Sequence, residues 1–298
     1  MQLKQTPINH LSIPELTNQG ISLFVKRDDL QHQVVSGNKL FKLFYHLQHC
    51  QKNKIETILT FGGAYSNHLH ATAYAAQQMG INSVAIVRGE QLLPLNPTLK
   101  DCTDWGMVLE PVSRIDYKQK QGSEFVQNII AQYKGAHVIP EGGCDLMGVQ
   151  GAAKILEGVD QTEYDYIVCP CGTGTTLAGI VSKADPHITV LGMAVLKGAQ
   201  WMEAEVEEWL SKSYQQSKQQ HQASWRINTD YHFGGYGKIK PELLEFIKTN
   251  NLDYDLPLEP IYTAKAMYGV LDMIRKGMFE KGSRILFIHT GGLQGYRD

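Results

Sequence analysis

Long apolar runs are missing from this 298-residue chain. None approaches the roughly 18 residues of a membrane-spanning helix, and the opening stretch MQLKQTPINHLSIPEL lacks the apolar core of a secretory leader. Cysteine is scarce: five residues, Cys50, Cys102, Cys144, Cys169 and Cys171, odd in number and scattered. They make no disulfide framework, and no Cys/His set has the spacing of a zinc site. An excess of one charge sign is also absent. Lys and Arg total 28 against 30 Asp and Glu, for a net charge of -2, which argues against general affinity for nucleic acid or anionic membrane. These absences predict a cytoplasmic protein in a reducing compartment, with no metal and no nucleic-acid or membrane partner.

What is there is ordinary for a globular protein: 43% apolar and 19% charged residues. The length suffices for one large domain or two smaller ones around a shared cleft. After an irregular arm over residues 1–20, short apolar runs alternate with helical periodicity. Strands are expected at Ile21–Val25, Thr57–Phe61, Ser83–Val87, Met107–Val112, His137–Pro140, Tyr166–Cys169, Ile188–Val195 and Arg284–Ile288. Helices are expected between them, including Lys39–Cys50, Ser123–Tyr133, Val149–Leu156 and Gln200–Gln219, the last with an exposed, mobile end over Tyr214–Gln222. Repeated strand–helix units imply an α/β fold with open, twisted, mostly parallel sheets and helices on both faces. A break near Glu141–Gln150 suggests two units, a small domain (46–149) inserted in a large one (1–45 plus 150–298).

Several segments carry chemistry. In Ser36-Gly37-Asn38-Lys39, flexible residues set Lys39 at the first turn of a helix. A cation is disfavoured there by the helix dipole, so the site leans towards a neutral amine, the nucleophile of Schiff-base chemistry. Cys171-Gly172-Thr173-Gly174-Thr175-Thr176 joins a strand to a helix, and its N–H groups and hydroxyls suit a phosphate. It has neither the Gly-Lys-Ser/Thr ending of a P-loop nor the G-x-G-x-x-G of a dinucleotide fold. Gly62-Gly63-Ala64-Tyr65-Ser66-Asn67-His68 is a second such loop, fit for a carboxylate; Ser66 or Asn67 caps the following helix. His68 and His70 fall on different helix faces, which disfavours a metal pair. Thr290, before Gly291-Gly292 at a third strand end, can hydrogen-bond a heterocyclic nitrogen. Tyr262 and Tyr296 are candidate acid/base or substrate-contacting groups.

An imine-forming lysine, a phosphate cradle, a carboxylate loop and a mild partner for a ring nitrogen are together what pyridoxal 5'-phosphate and an amino-acid substrate require. The chain resembles the 1-aminocyclopropane-1-carboxylate deaminase/D-cysteine desulfhydrase family of fold-type II pyridoxal-phosphate enzymes. The matching pieces are Lys26-Arg27-Asp28-Asp29, Ser36-Gly37-Asn38-Lys39 with Lys42-Leu43, Gly62 to His68, Cys171 to Gly179, Ile261 to Met267 and His289-Thr290-Gly291-Gly292, in the family's order across nearly the whole chain. The resemblance implies that Lys39 holds the cofactor, with Asn38, Asn67, Thr290 and Gly291 around it and the 172–176 loop on its phosphate. It implies that Ser66, Asn67 and His68 receive the substrate carboxylate, with Tyr262 and Tyr296 nearby. Desulfhydrase-like members carry threonine in the His-Thr-Gly-Gly segment, as here. The expected reaction is deamination of a small amino acid to ammonia and a 2-oxo acid, by a homodimer. A racemase or β-replacing synthase on the same scaffold, or a non-catalytic binder of the cofactor or a phosphometabolite, is the alternative.

Overall fold

Most strands are apolar runs with few polar breaks, the pattern of strands covered on both faces. The computed structural model describes residues 1–14, 16, 19–119, 122–218, 223–295 and 297. Among them, six strands form one sheet in the order β1 (Ile8–Leu11), β2 (Ser22–Lys26), β10 (Arg284–Ile288), β7 (Tyr166–Cys171), β8 (Thr189–Ala194) and β9 (Ser224–Asn228). Four form a second, in the order β5 (Met107–Val112), β4 (Asn82–Arg88), β3 (Thr57–Gly63) and β6 (His137–Ile139). Every pairing is parallel except β1 with β2. The described α-helices are α1 (Asn38–Lys52), α2 (Asn67–Met79), α3 (Pro97–Asp104), α4 (Arg114–Gln119), α5 (Glu124–Gln132), α6 (Leu146–Ala153), α7 (Thr175–Val181), α8 (Trp201–Ser217), α9 (Pro241–Tyr254) and α10 (Thr263–Arg275). The expected α/β architecture of two mostly parallel sheets flanked by helices is therefore present.

The larger sheet is buried on both sides. Val25, Phe287 and Val168 pack under α10 through Ala264, Met267 and Val270. Ile167, Leu286 and Ile288 face Ala152 of α6 and Ala178 of α7. Helix α1 serves both sheets. Leu40, Leu43, Leu47 and Cys50 pack on Ile58, Ala71 and Ile139 of the smaller sheet and its helix, while Phe41 enters the core of the larger one. The expected cut after residue 45 falls inside this continuous helix.

Three elements differ from expectation. The arm over residues 1–20 contains β1, an edge strand paired with β2 in register Ile8 to Lys26. The edge strand β9 and the short helix α4 were not anticipated. Of the stretch expected to be exposed and mobile, Tyr214 is exposed, and residues 219–222 lie outside the described set.

The topology brings distant segments together. β2 and β10 are neighbours, with Lys26 paired to Ile288, and β10 pairs β7 on its other side. The segments leaving their carboxyl ends are Ser36–Lys39, His289–Gly292 and Gly172–Thr176. Ligands of open α/β sheets bind at such ends.

Candidate active site

A cleft of ≈ 520 Å³ opens between the sheets, walled by the strand-end loops. Lys39 is in its floor, on the first turn of α1. Its amine donates to Asn38 Oδ1 at 2.9 Å, and Asn38 Nδ2 donates to Thr176 Oγ1 at 3.0 Å. The lysine segment thereby touches the 172–176 loop. The Asn38 N–H also donates to the Thr290 carbonyl at 3.2 Å. Gly37 makes that approach possible: its φ is +63°, and a Cβ there would stand 1.9 Å from the Thr290 carbonyl oxygen.

Burial is the largest cause pushing the Lys39 pKa down, to about 7; the Lys42 ammonium adds to it and Glu259 opposes it. The neutral amine was anticipated from the helix dipole, but desolvation and a second lysine account for it. Lys42, part of a segment matched in the sequence but given no role there, is the first further functional candidate. It is buried at 3% exposure, and its Nζ donates to the Gly142 carbonyl at 3.1 Å and to Thr173 Oγ1 at 3.5 Å. Its place three residues after Lys39, on the same helix face, was the available signal.

In the Cys171–Thr176 loop, Cys171, Gly172, Thr173, Gly174 and Thr176 line the cleft, whereas Thr175 does not. Thr175 is fully buried, and its hydroxyl pairs with Thr173 Oγ1 at 2.9 Å. The Thr175 hydroxyl thus supports Thr173, while its N–H lies at the first turn of α7. Gly174 has φ +72°, turning the chain into α7. Among the described residues, the N–H groups of Gly172, Thr173 and Gly174 have no acceptor. Orphaned donors with the Lys42 charge beside them fit a phosphate.

Ser66, Asn67 and His68 line the wall formed by the smaller sheet. Ser66 caps α2, accepting from the Leu69 N–H at 3.3 Å. The His68 ring is bonded to the smaller sheet through Nε2. Thr60 Oγ1 donates to the Ile139 carbonyl at 2.8 Å, so it accepts from His68 Nε2–H at 2.9 Å. Burial foremost, then the charges of Lys39 and Lys42, hold His68 well below its ordinary pKa, and the ring is neutral. His70 is bonded to Asp101 at 3.0 Å. Among the described residues no cluster of three or more His, Cys, Asp or Glu is placed to hold a metal ion.

Thr290 and Gly291 line the cleft, as does Tyr262 opposite Gly172. A Cβ on Gly172 would meet Tyr262 Cε1 at 3.0 Å, so the phenol lies against the backbone of the 172–176 loop. Burial, with Tyr236 and Glu259 adding to it, raises the Tyr262 pKa well above its ordinary value, so the phenol stays protonated at neutral pH. Glu259 is a second group passed over. Its buried carboxylate accepts the N–H groups of Ile261, Tyr262 and Thr263 at 2.7–2.8 Å and fixes the start of α10. Its signal was an acid just before a helical run. Gln294 is the third. Its Nε2 donates to Asn67 Oδ1, a pairing across more than two hundred residues that no local pattern reveals. Tyr296 lies outside the described residues.

The cleft can therefore hold an anionic group beside a neutral amine, with a phenol in reach of the same space. Residues 1–291 match the family described as pyridoxal-phosphate dependent enzyme. The chain is 31% identical to the mitochondrial bifunctional D-cysteine desulfhydrase/1-aminocyclopropane-1-carboxylate deaminase of Arabidopsis thaliana, over 98% of this chain and 77% of that one. It is 28% identical to a D-cysteine desulfhydrase of Klebsiella pneumoniae, over 96% of this chain and 91% of that one. A crystal structure described as an ACC deaminase homologue superposes with a TM-score of 0.83 at 29% identity, covering 98% of this chain and 90% of the other.

Proposed function

Because the chain belongs to the pyridoxal-phosphate dependent enzyme family, we propose that it deaminates a small amino acid, releasing ammonia and a 2-oxo acid. Its substrate is D-cysteine or 1-aminocyclopropane-1-carboxylate, the two named for its Arabidopsis relative. The observation that carries this reading is the Lys39 amine, pushed down to about 7 at the floor of a cleft with orphaned N–H donors.

The residues present fit the cofactor. Lys39 would hold its carbonyl carbon. Gly172, Thr173, Gly174 and Thr176, with the Lys42 ammonium, would hold its phosphate, and Thr290 its ring nitrogen through a hydroxyl. When bound, pyridoxal phosphate supplies imine chemistry at its aldehyde and a ring that takes up negative charge from the substrate. Lys39, half neutral near pH 7, acts as nucleophile and afterwards moves a proton at the substrate α or β carbon. Tyr262, held protonated, donates to the reacting group. Ser66 and the N–H groups at the start of α2 receive the substrate carboxylate. Thr290 presents no full charge to the ring, which favours elimination over transamination.

A small unit within a large one is part of the same reading, with α1 shared between them in place of a cut after residue 45: the smaller sheet brings the carboxylate loop and the larger the cofactor residues. The five free cysteines support a reducing, cytoplasmic compartment, and no described helix is long and apolar enough to cross a membrane. The assembly is a homodimer, which sedimentation of the purified protein tests. The activity test is release of 2-oxo acid from D-cysteine, L-cysteine, D-serine and aminocyclopropane carboxylate by cofactor-loaded protein. Pyruvate with sulfide from D-cysteine, or 2-oxobutyrate from the cyclopropane, is expected. Saturable cofactor binding with no oxo acid from any of the four would contradict it.

A further inference from the structure

Gly292, Gln294 and Gly295 lie against the side chain of Asn67. A Cβ on Gly292 would stand 2.9 Å from Asn67 Nδ2, and one on Gly295 3.4 Å from Asn67 Oδ1. Gln294 reaches the same amide, with Nε2 donating to Asn67 Oδ1. What sets the direction of that bond lies further out. Arg297 Nη2 donates to Gln294 Oε1 at 3.2 Å, and Thr98 Oγ1 donates to the same oxygen at 3.3 Å. Arginine has no acceptor, so the end of the Gln294 amide facing Arg297 must be the oxygen, and the end facing Asn67 must be the nitrogen. Arg297 is held in turn. Its Nη2 is 2.7 Å from Asp101 Oδ2, which also pairs with His70 Nε2 at 3.0 Å, and its Nε donates to the Gln294 carbonyl at 2.7 Å.

We propose that Gln294 is a positioning residue that fixes the Asn67 amide with its oxygen outward and its Nδ2 hydrogens towards the cleft, as donors to an oxyanion of the bound ligand. The relay runs Arg297, Gln294, Asn67, and each amide has one permitted orientation. The oxyanion is either the phenolic oxygen of the cofactor or the carboxylate of the amino acid. This inference rests on the function proposed above and adds what selects the donor face of the site.

Two substitutions separate orientation from packing. Gln294→Met keeps the length and removes the bias, leaving Asn67 free to turn. Gln294→Glu keeps acceptors for Thr98 and Arg297 but has no donor for Asn67, so the Asn67 amide flips and presents Oδ1 to the cleft. Both are made in wild-type and Asn67→Ala backgrounds, with circular-dichroism melting to confirm folding. One arm titrates cofactor-free protein with pyridoxal 5'-phosphate by visible absorbance. The other titrates loaded protein with D-alanine by the spectral change it causes. Gln294→Glu is expected to weaken binding roughly ten- to a hundred-fold, more than Gln294→Met, and the effect is expected to shrink to a few-fold beside Asn67→Ala. A change in the first arm assigns the oxyanion to the cofactor, and a change in the second alone assigns it to the substrate. Unchanged affinities in both arms, Met as harmful as Glu, or an undiminished Glu effect beside Asn67→Ala would overturn the proposal. Wild-type protein that fails to bind pyridoxal 5'-phosphate would overturn the functional reading instead.

Discussion

Lys42 stands one helical turn after Lys39, and its ammonium is the second cause, after burial, of the depressed pKa of the Lys39 amine. One cation thereby lowers the pKa of the proposed nucleophile and faces the loop that suits a phosphate. Lys42→Met is expected to weaken binding of pyridoxal 5'-phosphate by roughly ten- to a hundred-fold, the value of a hydrogen bond to a charged group. Binding of pyridoxal, which lacks the phosphate, should change little. Parallel titrations with the two aldehydes check this. Equal losses for both would mean that Lys42 does not serve the phosphate.

The Lys39 amine also makes the cofactor-free protein less stable. Its pKa is about 7 when folded against an ordinary 10.5. Between these values the unfolded chain holds the extra proton, so stability rises with pH across the window. At and below pH 7 the cost of the buried charge is fully present; above about pH 10.5 it is gone. Lys39→Met should therefore stabilise the cofactor-free protein by on the order of a few kcal/mol at pH 7. The gain should shrink as pH rises towards 10.5. Denaturant melts of both proteins at several pH values measure the difference, which cancels the similar contribution of Lys265 and includes relief of the Lys39–Lys42 repulsion.

Gly37→Ala tests whether the lysine segment must sit against the third strand end. The added Cβ would stand 1.9 Å from the Thr290 carbonyl oxygen. Gly80 has a similar φ of +67° but nothing within 4 Å of its Cβ position, so Gly80→Ala isolates the backbone strain, about 1–2 kcal/mol. Gly37→Ala should cost clearly more in thermal melts and should also impair cofactor binding, which Gly80→Ala should leave intact.

Ser66 has two separable duties. As the cap of α2 it accepts from the Leu69 N–H, and Ser66→Ala should cost about 1 kcal/mol of stability. Ser66→Asp keeps a cap but brings negative charge to the loop proposed to receive a carboxylate. It should melt near wild type while KM for the amino acid rises at least about tenfold.

What the sequence made legible was local. The apolar strands, their strand-to-helix turns and Lys39 follow from neighbours in the chain, and β10 was anticipated with its bounds, Arg284–Ile288. Edge elements were not legible. β1 has one buried residue, Leu11, between Pro7 and Pro14, and its strand form comes from pairing with β2 rather than from its own pattern. The site was read as separate loops, and what joins them was hidden. Asn38 to Thr176, Asn67 to Gln294 and Gly37 against Thr290 are contacts made by topology. The same holds for electrostatics. A helix N-terminus is visible in sequence, but the burial that does most to Lys39 requires the closed cleft.

Lys39 is proposed to hold the cofactor, although it is one of several lysines with a lowered pKa. Lys42 lies one turn away with its pKa also lowered by burial, and Lys265 is lowered to about 8. The direct measurement is borohydride reduction of cofactor-loaded protein, which fixes the cofactor to whichever amine carries it, followed by peptide mass spectrometry. The predicted result is a single pyridoxyl phosphate adduct on Lys39, lost in Lys39→Ala. An adduct on Lys42 or Lys265 in the wild-type protein would contradict the account.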